Sequence, residues 1–89
     1  MNIGRFHNEL AMRLGYERIV KDKRILISVE ESDDPWVILK VDGCDDVKFK
    51  ASNKDAEVYM NATSEIKKEI ETIIDAAHHA YITTINSRF

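Results

Sequence analysis

One α+β domain is the fold these 89 residues predict: apolar stripes of helical period lie at both ends of the chain, with three segments of period-two alternation between them. Hydrophobic residues make up 44% and charged residues 33%, the balance of a chain that folds and not of a disordered one. The length falls below the usual domain size of about 100–150 residues, so residues 1–89 are expected to share one core. A core this small leaves roughly 5 kcal/mol of net stability, and both a monomer and a homodimer fit.

Asn2 suits the N-cap of a first helix over residues 3–14, since Ile3, Phe6, Leu10 and Leu14 recur at spacings of three and four. Gly15 can end it in a left-handed conformation, with Tyr16 folding back on Leu10 or Ala11. Alternation follows. Ile25, Ile27 and Val29 alternate with Leu26, Ser28 and Glu30; Val37, Leu39 and Val41 with Trp36, Ile38 and Lys40; Val47, Phe49 and Ala51 with Lys48 and Lys50. Residues 16–20 either add a fourth strand through a Lys21-Asp22-Lys23 turn or lead into a long first strand.

The connections Glu31-Ser32-Asp33-Asp34-Pro35 and Gly43-Cys44-Asp45 are rich in turn formers and read as hairpin loops. A five-residue first loop sets Val29 against Val37, Ile27 against Leu39 and Ile25 against Val41. A three-residue second loop sets Val41 against Val47, Leu39 against Phe49 and Val37 against Ala51. Both lengths put the apolar rows on one face of a three-stranded antiparallel meander.

Beyond the meander, Ser52 or Asn53 can cap a short helix, with Asp55 returning the bond, before a break near residues 61–63. Ile66, Ile70, Ile73, Ala77 and Tyr81 then hold the stripe of a long helix over residues 64–83, while Glu65, Lys68, Glu69, Thr72 and Asp75 face water. The tail through Phe89 is expected to fray. The predicted order is therefore α-β-β-β-α-α, with helices on one face of the sheet.

Composition narrows the chemistry. A net charge of −3 argues against a general polyanion binder and is too small for a DNA mimic. Cys44 is the single cysteine, so no disulfide forms within the chain, and residues 1–14 lack the apolar run of a signal peptide; both point to the cytoplasm. Acidic neighbours would raise the Cys44 thiol pKa, which disfavours a nucleophile. The acidic runs at residues 30–34 and 42–46 cap opposite ends of the middle strand and read as solvated turns, since they cannot share an ion. His78 and His79 are adjacent on a helix, about 100° apart, where zinc pairs use i, i+4 spacing, and His7 joins them only through tertiary contact. No metal, cofactor or catalytic residue is expected.

The sheet face turned away from the helices carries Leu26, Trp36 and Ile38 beside Lys40, Lys48 and Lys50. Register sets Leu26 beside Lys40 and Ile38 between Ser28 and Lys50. Such a mixture is either a binding surface, where tryptophan is over-represented, or a covered one in which Trp36 folds over the sheet edge or lies under residues 16–20 or the tail.

In element order the chain resembles double-stranded RNA-binding domains, which run α-β-β-β-α, although Ser52-Asn53-Lys54-Asp55-Ala56 lacks the paired lysines that open their second helix on phosphates. Across nearly its whole length the layout also resembles that of small phage-encoded inhibitors of CRISPR nucleases, without a shared motif. That resemblance implies a protein that occupies a nuclease surface and needs no catalytic residues. The expected function is a non-enzymatic accessory or inhibitory protein that docks onto a protein partner through Trp36, Ile38, Leu26, Lys40, Lys48 and Lys50. Nucleic-acid binding through the same lysines ranks second, an enzyme third, and no membrane is involved. Thermal melts with and without EDTA should coincide; a drop of several degrees on chelation would reveal a structural metal.

Overall fold

The computed structural model describes residues 1–87, so Arg88 and Phe89, the end of the tail expected to fray, lie outside the described residues. The elements are α1 (Ile3–Leu14), β1 (Glu17–Val20), β2 (Lys23–Glu30), β3 (Trp36–Val41), β4 (Val47–Lys50) and α2 (Ser64–Ile85). The class is α+β, as predicted, but the sheet has four antiparallel strands in the order β1-β2-β3-β4. Among the described residues, no helix is long and apolar enough to cross a membrane.

α1 starts where Asn2 Oδ1 accepts a hydrogen bond from the Arg5 amide at 3.0 Å, and it buries Phe6, Leu10 and Leu14. Gly15, at φ 72°, ends it while donating its amide to the Ala11 carbonyl. Tyr16 is exposed and does not fold back on α1. Its carbonyl accepts from the Ile27 amide at 2.9 Å, so the chain enters the sheet at once.

Of residues 16–20, Glu17–Val20 therefore form a fourth strand. Val20 pairs with Lys23 across a two-residue turn in which Lys21 and Asp22 have φ of 47° and 68°. Two consecutive left-handed residues are the mark of a type I′ turn, whose twist matches that of the flanking strands. An L-residue in that conformation is disfavoured by about 1–2 kcal/mol, and a lysine at the first position hides the signal that Asn-Gly would have carried.

β2 and β3 pair as predicted, Ile25 with Val41, Ile27 with Leu39 and Val29 with Val37. β3 and β4 do not. Leu39 faces Val47, Val37 faces Phe49 and Trp36 faces Lys50, a shift of two residues from the expected register. The cause lies at residues 41–44, where the Cys44 amide donates to the Val41 carbonyl and Gly43 takes φ 72°. Asp42 is drawn toward β2, its amide bonded to the Arg24 carbonyl and its Oδ2 accepting from the Arg24 amide. The connection lengthens accordingly. A shift of two leaves every side chain on its expected face, so the hydrophobic pattern could not detect it.

The short helix expected after the sheet is absent, and the order is α-β-β-β-β-α. Ser52 is held by Asp34, which accepts from its amide at 3.1 Å and from its hydroxyl. Asn53 Oδ1 accepts from the Asp55 amide, so the expected cap closes a local turn and Asp55 returns no capping bond. From there Ala56, Val58, Met60 and Ala62 pack partly buried against the core while Glu57, Tyr59 and Asn61 are exposed. This is period-two alternation. The segment runs as an extended strap past β4 on one side and the Lys67 and Glu71 side of α2 on the other.

α2 begins after Thr63, whose Oγ1 accepts from the Ile66 amide at 3.3 Å, and it buries Ile66, Ile70, Ile73, Ile74, Ala77 and Ala80. Thr84, also buried, donates its hydroxyl to the Ala80 carbonyl at 2.8 Å. Two ion pairs align α2 with β1. Glu69, expected to face water, is half-buried and accepts from Arg18 Nε at 2.8 Å. Glu65 lies 3.3 Å from Lys21 Nζ. Its carboxyl is held below the usual pKa, first by a backbone hydrogen bond at the helix start and then by Lys21.

Phe6 and Leu10 of α1, Ile25, Val37 and Leu39 of the sheet, and Ile70 and Ile73 of α2 meet in the core with at most 1% of their surface exposed. Ile70→Ala should accordingly cost about 2–5 kcal/mol in chemical denaturation, and Lys68→Ala about 0.5 kcal/mol or less. Equal losses would contradict this orientation of α2.

Candidate functional site on the open sheet face

Because the residues of one parity go under the helices, those of the other parity form a surface with no helix or strand above it among the described residues. Across the four strands it holds Glu17 and Ile19; Arg24, Leu26, Ser28 and Glu30; Trp36, Ile38 and Lys40; Lys48 and Lys50. All six residues expected to line a binding face are present. Leu26 lies beside Lys40 and Ser28 opposite Ile38, as expected, and β1 adds Glu17 on the other side of Leu26. The shift at β4 exchanges two partners: Ile38 stands beside Lys48, and Lys50 beside Trp36.

Neither residues 16–20 nor the tail covers Trp36 among the described residues; β1 extends the face instead of folding over it. Leu26 is 41% exposed and Ile19 68% exposed. Trp36 and Ile38 are half-buried by their neighbours. Lys48 Nζ sits 4.8 Å and Lys50 Nζ 5.3 Å from the centroid of the Trp36 ring, each a cation–π contact worth about 0.5–1 kcal/mol at an exposed site. Beyond the ring, Ser52, Asn53, Ala56 and Glu57 line a hollow of about 320 Å³ with Trp36.

The strand register draws an oblique apolar line through Ile19, Leu26, Ile38 and Trp36, from the β1 edge to the β3–β4 pair. Charges flank it. Glu30 holds Lys48 at 3.2 Å and Glu17 lies 3.7 Å from Arg24 Nε, while Lys40 and Lys50 have no carboxylate within 4 Å among the described residues. Glu17 and Ile19 were missed from sequence because the fourth strand was undecided; Arg24 precedes the stretch of β2 in which alternation was read, and Glu30 stood in the outward row without being counted as lining the face. The alternation of Ile19 with Arg18 and Val20 was the available signal.

The remaining candidates lie apart from this face. The two acidic runs close opposite ends of the sheet and are mostly exposed, as expected of solvated turns; within them Asp34, half-buried, bonds the backbone of Ser52, and Asp42, exposed, that of Arg24. His79 Nε2 is 3.7 Å from Asp75, and His78 Nδ1 is buried without a hydrogen-bond partner. Among the described residues no group of three or more His, Cys, Asp or Glu is placed to hold a metal ion. Cys44 corrects its expected setting. It is half-buried against the core, with Sγ 3.8 Å from the Asn61 carbonyl, in a groove of about 440 Å³ shared with Val20, Lys21, Lys23 and Ile66.

No protein-family model, curated protein or solved structure matches the chain. The geometry of the molecule therefore carries the functional argument. Cys44→Ser should keep the fold, since the hydroxyl retains a donor for Asn61, and should lower stability by about 1 kcal/mol or less in thermal melts. A larger loss would make the thiol a core residue.

Proposed function

We propose that this protein is a non-enzymatic binding protein that docks onto another protein through the outer face of its sheet. The observation that carries this reading is the apolar line of Ile19, Leu26, Ile38 and Trp36 on a face that neither helix covers. Large apolar groups that neighbour one another across an open sheet face are stabilised by burial against a partner, and a tryptophan in such a line is the group most often central to the affinity. Occupying a partner's surface, without chemistry on it, is the action this face suits.

Nucleic-acid binding would use the same lysines, and the arrangement weighs against it. Glu17 and Glu30 stand on the face itself, Lys48 is engaged by Glu30, and both ammonium groups beside Trp36 lie over the ring that a base would need for stacking. The likeness in element order to inhibitors of CRISPR nucleases adds no support, because the chain has one strand more and one helix fewer than that order requires.

A partner isolated on the immobilised wild-type chain, then purified and titrated calorimetrically, tests the reading. Trp36→Ala should weaken its binding by about 2 kcal/mol or more, with a smaller loss of folding stability. A partner of nucleic acid would instead lose affinity in proportion to log salt with a slope near −0.7 to −0.9 per phosphate contacted. Unfolding of Trp36→Ala, with binding lost only in proportion, would return Trp36 to the core and remove the face from consideration.

A further inference from the structure

We infer that the partner seats on this face a segment of extended protein chain carrying two carboxylates on either side of an apolar centre. The inference rests on the docking reading above and adds the chemistry of the occupant. The motive is the pairing of charges. Of the four cations on the face, Arg24 and Lys48 have carboxylates of this chain beside them, whereas Lys40 and Lys50 have none within 4 Å among the described residues. These two stand at opposite ends of the apolar line's β3 portion, with Lys40 beside Leu26, Lys50 beside Trp36 and Ile38 between them.

A partner that covers Ile38 and Trp36 takes water from both ammonium groups, and leaving them without a counter-charge would cost more than the apolar contact gains. The occupant must therefore bring its own carboxylates. Trp36 and Lys40 are four positions apart on β3, and Lys50 is one strand over, so the two cations stand about 14 Å apart at strand geometry. Residues four apart in an extended segment span about 13 Å, whereas the same spacing on a helix spans about 6 Å. An extended acidic-apolar-acidic segment therefore matches the cations.

A second copy of this chain fits poorly. Its face would bring the same uncompensated Lys40 and Lys50, while its Glu17 and Glu30 are already beside Arg24 and Lys48. A phosphodiester backbone would meet Glu17 and Glu30, and it offers no apolar centre for Ile38 and Leu26.

The test is selection from a library of displayed random twelve-residue peptides on the immobilised full chain, followed by titration of the synthesised winners. Enriched peptides should carry Asp or Glu four positions apart around an apolar residue. They should lose about tenfold or more in affinity on Lys40→Glu/Lys50→Glu, and peptides with Lys or Arg at the two acidic positions should regain it on that variant. Winners that need Trp36 but show no acidic preference and ignore the lysine reversals overturn the inference while leaving the docking face standing. Winners indifferent to Trp36→Ala overturn both. Failure to enrich any sequence above the Lys40→Glu/Lys50→Glu background also overturns the inference. So does a twelve-residue oligothymidylate that binds more tightly than any peptide and loses that binding with salt and with the lysine reversals, in which case the occupant is nucleic acid.

Discussion

Burial of one face of a single sheet against α1 and α2 is the constraint on which the other features depend, because strand side chains alternate and a residue can serve only one side. Ile25, Ile27, Val37, Leu39, Val41, Val47 and Phe49 go under the helices, joined there by Phe6, Leu10, Ile70 and Ile73. Their neighbours have no choice of side. Leu26, Trp36, Ile38, Lys40, Lys48 and Lys50 are turned outward by the same alternation, and a slip of one residue would exchange the two sets. The exposed apolar line is thus a consequence of core packing together with side chains that the core does not require.

The polar contacts set where the layers sit relative to one another. Arg18 with Glu69 and Lys21 with Glu65 fix α2 along β1, which is the sheet edge nearest that helix. Asp34 reaches from the β2–β3 connection to Ser52, where the chain leaves β4, and so directs the strap toward α2. Partly exposed pairs of this kind contribute about 0–1 kcal/mol each, far less than the buried side chains. They select the geometry more than they hold the fold together, and they consume acidic residues that would otherwise read as solvated charge.

On the outer face the same logic explains why Trp36 is presentable at all. An open tryptophan invites nonspecific association, and here the stems and ammonium groups of Lys48 and Lys50 cover part of the ring while Glu30 holds Lys48 in position. Trp36 and Ile38 are both half-buried on this face. The charges on this face are unevenly matched: Arg24 and Lys48 have carboxylates of the chain beside them, and Lys40 and Lys50 have none within 4 Å among the described residues.

By itself the sequence determined the α+β class, the extents of α1 and of most of α2, the β2–β3 register and the sidedness of every predicted strand residue. These follow from local periodicity, which each segment carries whatever surrounds it. Only the tertiary structure decided that residues 17–20 pair as a strand, that β4 is shifted by two, and that residues 51–63 form a strap and not a helix. In each case the local signal was compatible with two outcomes. The Lys21-Asp22 turn is acceptable only once β2 offers Glu17, Arg18 and Ile19 their partners, and a two-residue shift preserves the hydrophobic pattern. The cap at Ser52 is diverted where Asp34, eighteen residues earlier, takes its amide and hydroxyl, and that at Asn53 closes a local turn with the Asp55 amide. Hydrogen bonds to distant segments, Asp42 to Arg24 and Asp34 to Ser52, entered those choices, and a linear pattern does not record them.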